Sequence, residues 1–460
     1  MDEAHHFLLA KDSASFSELY RNAAYDGHPL LWDSLLFIIT RFSDSPFYMQ
    51  LLNISIMSGS VYLFLKHAPF KTLFSVLIVF GYFFIYEYHI ISRNYAISIL
   101  LITLVFVQLN KPTKNHLLIA FCLLLLSFTH VYSILVAIAL SMIFIFQNKN
   151  SNVKYIYCLH ILICAGILFS LQVPADHFLF KFDTDRFLSY KRIGKAFSVY
   201  LKGFLPIPDI TAAKVWNSNL IVSFSKGVGT VLSVLFALIP FFIFKKNKLV
   251  LFFFYFSTLG ICLFIYLSPI IVALRYCGFI FMILIFSFWL QKILYPSETI
   301  SNPVYKNIAL SILIIHIFSG TYLFVIDLNQ PFSNSKTLAN YLKENHLDNK
   351  EIFLSNLSSG PPVSAHLNKK LIYLETEEKN SYCKWNTWPF ILTKIQLGEK
   401  LDRLVKNDSS LLILNNTYLR DDLKNSAEDL PCNYKAVKLV TFDGAMLPSE
   451  NYNLYYLVKK

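Results

Sequence analysis

Residues 72–110, TLFSVLIVFGYFFIYEYHIISRNYAISILLITLVFVQLN, hold two apolar runs, 72–91 and 94–110, joined where Glu87, His89 and Arg93 cluster. A helix crossing ~30 Å of hydrocarbon needs about 20 apolar residues, with a working range of ~17–25. Both runs meet that length, so the stretch reads as two membrane helices with their charges at the joint. The same rule, carried outward, predicts ten spans at 47–66, 72–91, 94–110, 115–130, 132–147, 154–174, 221–244, 249–268, 272–291 and 307–327. The pair 115–130 and 132–147 also admits one long kinked helix or two shallow ones.

Composition supports this reading. The 460 residues are 55% hydrophobic and 15% charged, against roughly 25% charged in an average soluble domain. That excludes a plain soluble enzyme, and 43 Phe with 27 Tyr exclude a disordered chain. The formal charge of +12 does not imply nucleic acid, because many of the Lys and Arg residues stand in short connectors between apolar runs. The Lys-bearing connectors at 66–71, 111–114, 149–154, 245–248 and 292–306 fall on one side of a ten-span chain. Positive-inside bias makes that side cytoplasmic.

The opposite side then receives residues 1–46, the turns at Ser92–Arg93 and His130, the stretch 175–220, the turn near Pro269 and everything after 328. Residues 1–46 read as a polar loop without the pattern of a secretory signal, so a further membrane helix upstream of Met1 is expected. Residues 328–460 read as a separate soluble α/β domain. Its predicted strands lie at 351–354, 371–374, 411–414, 436–442 and 454–458, and its helices at 336–345 and 391–405. Such a domain binds an acceptor or caps the membrane domain. Cys122, Cys158, Cys164, Cys262 and Cys277 lie in apolar runs as packing residues. Cys383 and Cys432, on the oxidising side, are candidates for a disulfide.

Five constellations carry chemistry. Asp2-Glu3, followed by His5-His6 and Gly27-His28-Pro29, offers adjacent carboxylates from which a general base can be drawn; the bland alternative is an exposed charged terminus. His5 and His6 are weak candidates for a metal, since adjacent loop histidines rarely point at one ion. In Tyr86–Tyr95, ionisable groups at membrane depth cost roughly 2.5–3.5 kcal/mol each unless paired or facing a cavity. Glu87 and Arg93 therefore pair or line a polar site, unless Arg93 snorkels in an aromatic belt. Thr129-His130 marks a helix turn, and Arg275-Tyr276 opens a late helix, where an arginine suits a phosphate. The stretch 185–206 interleaves apolar residues with Lys191, Arg192 and Lys195. It reads as an amphipathic helix in the membrane interface, either holding an anionic lipid substrate or simply anchoring the chain.

In order along the chain, these pieces resemble the GT-C superfamily of membrane glycosyltransferases. The likeness is to the branch of protein O-mannosyltransferases and lipid A aminoarabinose transferases (family 39-like). Asp2-Glu3 is similar to that branch's Asp-Glu pair in the first outer loop, and Gly27-His28-Pro29 to its Gly-His-Pro element. Arg93-Asn94-Tyr95 is similar to its Arg-x-Tyr, Thr129-His130 to its Thr-His and Arg275-Tyr276 to its late Arg-Tyr. Two departures stand out: the family's first helix, which precedes the Asp-Glu loop, is absent, and Glu87 lies six residues upstream of Arg93.

The resemblance implies a GT-C-like bundle over residues 1–327 with an extracytoplasmic α/β domain over 328–460, in the inner membrane of a bacterium. It implies a polyprenyl-phosphate sugar as donor and a glycan, lipid or protein as acceptor. Asp2 or Glu3 would take the acceptor's proton, and Arg93, Arg275 and Tyr276 would hold the leaving phosphate. His28, Glu87, Tyr95 and His130 would line the site. The outcome would be inversion, and a divalent metal is allowed but not required. Rival readings are a polysaccharide polymerase or ligase, a lipid-linked sugar transporter without covalent chemistry, and a membrane scaffold.

Overall fold

The computed structural model describes residues 2–171, 189–268, 272–297, 303–384, 392–406, 409–415 and 430–460. Residues 172–188, which hold the end of the expected span 154–174 and the start of the expected outer stretch 175–220, the turn at Pro269 and the side chains of Asp2 and Lys191 lie outside the described residues.

The segment 1–46 is not a loop. It forms α1 (Asp2–Asp12), α2 (Phe16–Ala23) and α3 (Leu31–Thr40). Ser15 caps α2 by accepting the Glu18 N–H. Phe7, Leu9, Leu19, Trp32 and Leu36 bury one cluster together with Ala365 and Tyr382 from the far end of the chain. The segment looks polar because its apolar side chains meet protein on one side only.

The apolar region continues through α4 (Phe47–His67), α5 (Thr72–Val79) and a π-helical turn, Phe83–Glu87. Next come α6 (Asn94–Leu109), α7 (His116–Ser127), α8 (Val131–Gln147) and α9 (Val153–Ser170). After them lie α10 (Tyr190–Phe204), α11 (Leu220–Phe224), α12 (Lys226–Phe244), α13 (Lys248–Leu267), α14 (Leu274–Leu294) and α15 (Pro303–Asn329). Six of these helices, α4, α9, α12, α13, α14 and α15, are long and apolar enough to cross a membrane. The apolar helices α6, α7 and α8 have 16, 12 and 17 residues. At about 1.5 Å per residue, each is shorter than the ~30 Å hydrocarbon core. The stretch 115–147 is two helices broken at 128–130, where Asn94 Nδ2 donates to the Thr129 carbonyl.

The run 72–91 is not one helix either. Two contacts from distant helices hold the break open. Asn53 on α4 donates its side-chain amide to the carbonyls of Tyr88 (3.2 Å) and His89 (2.8 Å), which no longer bond within a helix. Gly320 on α15 lies so close to Tyr82 that a Cβ there would stand 2.9 Å from the Tyr82 Cα.

Helix α10 also departs from expectation. Its apolar face is buried in protein instead of lying on lipid: Ala196, Val199, Tyr200, Leu201 and Phe204 are covered by α12, α13 and α14. Tyr200 donates to Thr258 Oγ1 on α13 at 2.9 Å. Gly203 lets α10 and α14 touch. Arg192 and Lys195 are partly buried.

After α15, α16 (Ser335–Glu344) leads into a six-stranded sheet containing β1 (Ile352–Ser355), β2 (Leu371–Tyr373), β3 (Glu378–Asn380), β4 (Leu411–Asn415), β5 (Tyr434–Phe442) and β6 (Tyr452–Lys459). The order is β3-β2-β1-β4-β6-β5. Strand β1 runs parallel to β2 and β4, and the remaining pairs are antiparallel. Period-two alternation splits the core in two. Leu411 and Ile413 pack under α16 and α17 (Gly360–Leu367), while Leu412 and Leu414 pack under α18 (Lys394–Leu404). The expected α/β domain is therefore present, with β3 and α17 in addition.

Cys383 and Cys432 are not bridged. They sit in the two different cores, on opposite faces of the sheet, where Cys383 Sγ donates to the Leu357 carbonyl and Cys432 Sγ to that of Tyr434.

Two outcomes follow from this packing. Alkylation of the denatured, unreduced protein should label both Cys383 and Cys432; retention of a pair of unlabelled thiols would contradict the separate cores. In Gly203→Ala the new Cβ would stand 2.6 Å from the Cys277 carbonyl oxygen, whereas at Gly194 on the same helix it meets only Thr230 Oγ1 at 3.7 Å. Gly203→Ala is expected to cost about 1–3 kcal/mol by overpacking, and Gly194→Ala to leave the melting temperature in detergent unchanged or raised.

Candidate active site

Segments far apart in sequence meet at one place: the start of α1, the loop between α2 and α3, the π-helical turn, and the N-termini of α6, α8 and α14. Glu3 Oε1 accepts the Ser92 N–H at 2.6 Å, which puts this carboxylate beside Arg93, the residue capping α6. Arg93 is 5% exposed, so it does not snorkel to a surface. Tyr95, the second residue of α6, bonds His130 Nε2 at 3.2 Å, and its ring stacks on Tyr88 at 5.4 Å. Tyr88 in turn donates to the Arg275 carbonyl at 2.7 Å. The Arg275 guanidinium lies 5.2 Å over the Tyr276 ring, and that ring is 6.5 Å from His130.

His130 has a fixed tautomer. Its Nδ1 accepts the Tyr132 N–H at 3.1 Å and so caps α8. In the neutral ring the proton is then on Nε2, which donates to Tyr95. Ser133 Oγ donates to Ser98 Oγ at 3.0 Å, and Ser98 Oγ to Thr129 Oγ1 at 2.8 Å, which fixes the Thr129-His130 turn between α6 and α8.

The loop before α3 supplies an imidazole array. The His28 ring stands 5.1 Å from His130 and 6.3 Å from His6. His6 Nδ1 donates to Asp33 Oδ1 at 2.7 Å, and His5 Nε2 meets Asp26 at 3.0 Å. Each of the adjacent histidines is therefore held by its own carboxylate, and their rings are nearly perpendicular. Among the described residues no group of three or more His, Cys, Asp or Glu side chains is placed to hold a metal ion.

Electrostatics around the array are strongly tuned. Burial raises the Glu3 carboxyl above its usual range, offset by the Ser92 N–H and by Arg93. Burial also works against ionisation of Asp26, but the charge and hydrogen bond of His5 outweigh it and hold Asp26 at about 2. His28 is pushed down to about 3, first by burial and then by the positive fields of His6, Arg93 and Arg275. It is a neutral imidazole at physiological pH, and its Nδ1 is buried with no hydrogen-bond partner among the described residues.

Glu87 lies in the fields of both Arg275 and Arg93. Its Oε2 accepts from Tyr82 OH at 2.9 Å and Trp216 Nε1 at 3.2 Å. Its Oε1 has no hydrogen-bond partner among the described residues.

The structure thus brings together Glu3, His28, Glu87, Arg93, Tyr95, His130, Arg275 and Tyr276 from the sequence reading. Arg192 and Lys195 belong to α10, and Asp2 opens α1 without a described side chain. Asp26, Asp33, Tyr82 and Trp216 were not anticipated. Asp33 carried a readable signal, a lone carboxylate inside Leu30-Leu31-Trp32-Asp33-Ser34-Leu35-Leu36, because a buried charge demands a partner. Trp216 carried none, since its partner lies 129 residues away. Compared with known proteins, the chain matches no family, no curated protein and no solved structure.

The sign of the pH response follows. A neutral His28 held at about 3 in the fold, against an ordinary 6.5, contributes fully above pH 6.5 and progressively less as pH falls towards 3. Asp26, held at about 2, contributes constantly down to about pH 4 and is lost only below it. The melting temperature should therefore fall between pH 7.5 and 5, and His28→Asn should make that fall shallower. An unchanged slope in the variant would show that His28 is not the buried neutral group.

Proposed function

We propose that the chain is an integral-membrane glycosyltransferase of the GT-C type, moving a sugar from a polyprenyl-phosphate donor to an acceptor hydroxyl on the extracytoplasmic side. The observation that carries the reading is the meeting of an acidic α1 start with two arginines, Arg93 and Arg275, at the N-termini of separate helices. Helix N-termini carry partial positive charge and point free N–H groups outward. Two guanidiniums set there suit a phosphate leaving group, and a carboxyl beside them suits a base.

In this reading the six long helices cross fully, the broken run 72–91 and the short α6, α7 and α8 complete the ten passes, and the Lys-bearing connectors lie in the cytoplasm. The protein then sits in the inner membrane, with the site and the C-terminal domain outside. The acceptor oxygen attacks the anomeric carbon while Asp2 or Glu3 takes its proton. The bond from the anomeric carbon to the phosphate oxygen breaks, and the electron pair leaves on the phosphate, where Arg93 and Arg275 meet it. One displacement gives one inversion. Tyr276 supports the Arg275 guanidinium, and Glu87, held by Tyr82 and Trp216, sets the field behind both arginines. Tyr95, His130 and His28 line the site as uncharged polar groups. The acceptor is a glycan, a lipid or a protein.

Native mass spectrometry of the detergent-purified protein tests the reading. The parent should carry an isoprenoid-phosphate adduct that is lost or weakened in Arg275→Ala, and the adduct's mass identifies the sugar. Asp2→Asn or Glu3→Gln, whichever removes the base, should keep the adduct while turnover falls about 10²–10⁴-fold. A parent that retains other membrane lipids but no such adduct would overturn the reading in favour of a transporter or scaffold.

A further inference from the structure

We infer that the C-terminal domain carries a second, saccharide-binding site, which receives one neutral sugar ring beside the candidate active site. It is a cavity of about 230 Å³ lined by Tyr373, Glu375, Glu378, Asn380, Tyr382 and Lys384. It lies just past the C-terminal ends of the parallel strands β1 and β2, the edge at which α/β sheets hold ligands.

Its central group is Glu375, 5% exposed. One oxygen, Oε1, is committed to the fold, accepting from Ser355 Oγ at 2.8 Å and from the Asn356 N–H at 2.6 Å. The other, Oε2, is buried without a hydrogen-bond partner among the described residues. A buried carboxylate oxygen left unmatched is costly; in a cavity it calls for a ligand that donates. The backbone beneath it is strained as well. Asn356 has φ of +88°, a region that non-glycine residues rarely occupy, and backbone strain of this kind clusters at ligand sites.

The remaining lining selects the ligand class. Glu375 Oε2 accepts from within the cavity and Lys384 donates from its exposed rim, while Asn380 donates to Glu378 Oε2 at 2.9 Å and the pair keeps acceptor oxygens towards the opening. Hydroxyl groups do both, so a sugar ring answers the whole set. An ammonium group would meet the Lys384 ammonium, which stands exposed at the rim; an anion would face two carboxylates. The volume lies below the ~300–1,000 Å³ of drug-sized sites, which limits the occupant to about one ring.

Position ties the site to the reaction. Tyr382 lines the cavity and also packs edge-on against His5 of α1, with ring centroids 5.8 Å apart. One side chain therefore separates the cavity from the helix that begins with the acidic pair. Naming the bound ring as part of the acceptor rests on the glycosyltransferase reading; the site itself does not.

Saturation-transfer difference NMR on the full chain in detergent, with methyl α- and β-hexosides of the gluco, galacto and manno series as probes, tests this. At least one hexoside should show transfer to its ring protons, and Glu375→Gln should weaken its binding about tenfold or more. The exposed Glu378→Ala, which alters only the rim, should weaken the same binding, so a folding defect in Glu375→Gln would not hide the result. Absence of binding by every hexoside, or binding of methylammonium in their place, would overturn the inference. Native mass spectra of the same sample separate the two claims. A donor adduct without hexoside binding removes this site alone. Hexoside binding without an adduct keeps the site and removes the glycosyltransferase reading.

Discussion

One hydrogen bond, from the Ser92 N–H to the Glu3 carboxylate at 2.6 Å, joins the first helix to the point where the apolar bundle is interrupted. Removing a carboxylate from water costs several kcal/mol unless charge and donors replace the solvent. Here the donor is an amide just before α6, and the charge is Arg93. The same constraint recurs at each neighbouring group. Glu87 is held by Tyr82 and Trp216, His6 by Asp33 and His5 by Asp26. The centre of the molecule is a set of buried polar groups that hold one another, and the apolar helices pack around it.

This centre also explains why α1 to α3 and the C-terminal domain dock together. Helix α1 buries Phe7 and Leu9 against Ala365 and Tyr382, and Ser381 Oγ donates to Asp12 at 2.5 Å. On the opposite flank, Tyr86 OH reaches Met446 Sδ and Trp216 packs edge-on against Phe332. The C-terminal domain therefore grips the polar centre from two sides. A cap alone would need only the apolar contacts; the polar cavity next to Tyr382 is where the proposed recognition role would reside.

Much of the bundle was legible because its information is local. Run length marked α4, α9, α12, α13, α14 and α15, and β-type runs marked five of the six strands. The starts of α6, α8 and α14 were readable from Arg93, His130 and Arg275. What was hidden depended on distant partners. The break after Val79 is held open by Asn53 and Gly320, neither of which is visible from 72–91. The helices in 1–46 read as a loop because their short apolar cluster is closed by Ala365 and Tyr382, more than 300 positions away. Helix α10 has the pattern of an interfacial helix, yet Gly203 lets it approach Cys277 and bury that face in protein. For the site, the residue types and their helix-end positions could be read; the closure of Glu3, His28, His130 and Arg275 into one wall could not. The carboxylate partners Asp26 and Asp33 stand 21 and 27 residues from His5 and His6, beyond the reach of any helical spacing that would pair them.

The most direct test is a cryo-electron microscopy reconstruction in nanodiscs formed from the expressing cell's own lipids. The account expects a lipid density whose phosphate lies between the Arg93 and Arg275 guanidiniums, within hydrogen-bonding distance of both and facing the acidic start of α1. A map in which the two guanidiniums point to separate compartments, or in which lipid phosphates avoid both, would contradict it.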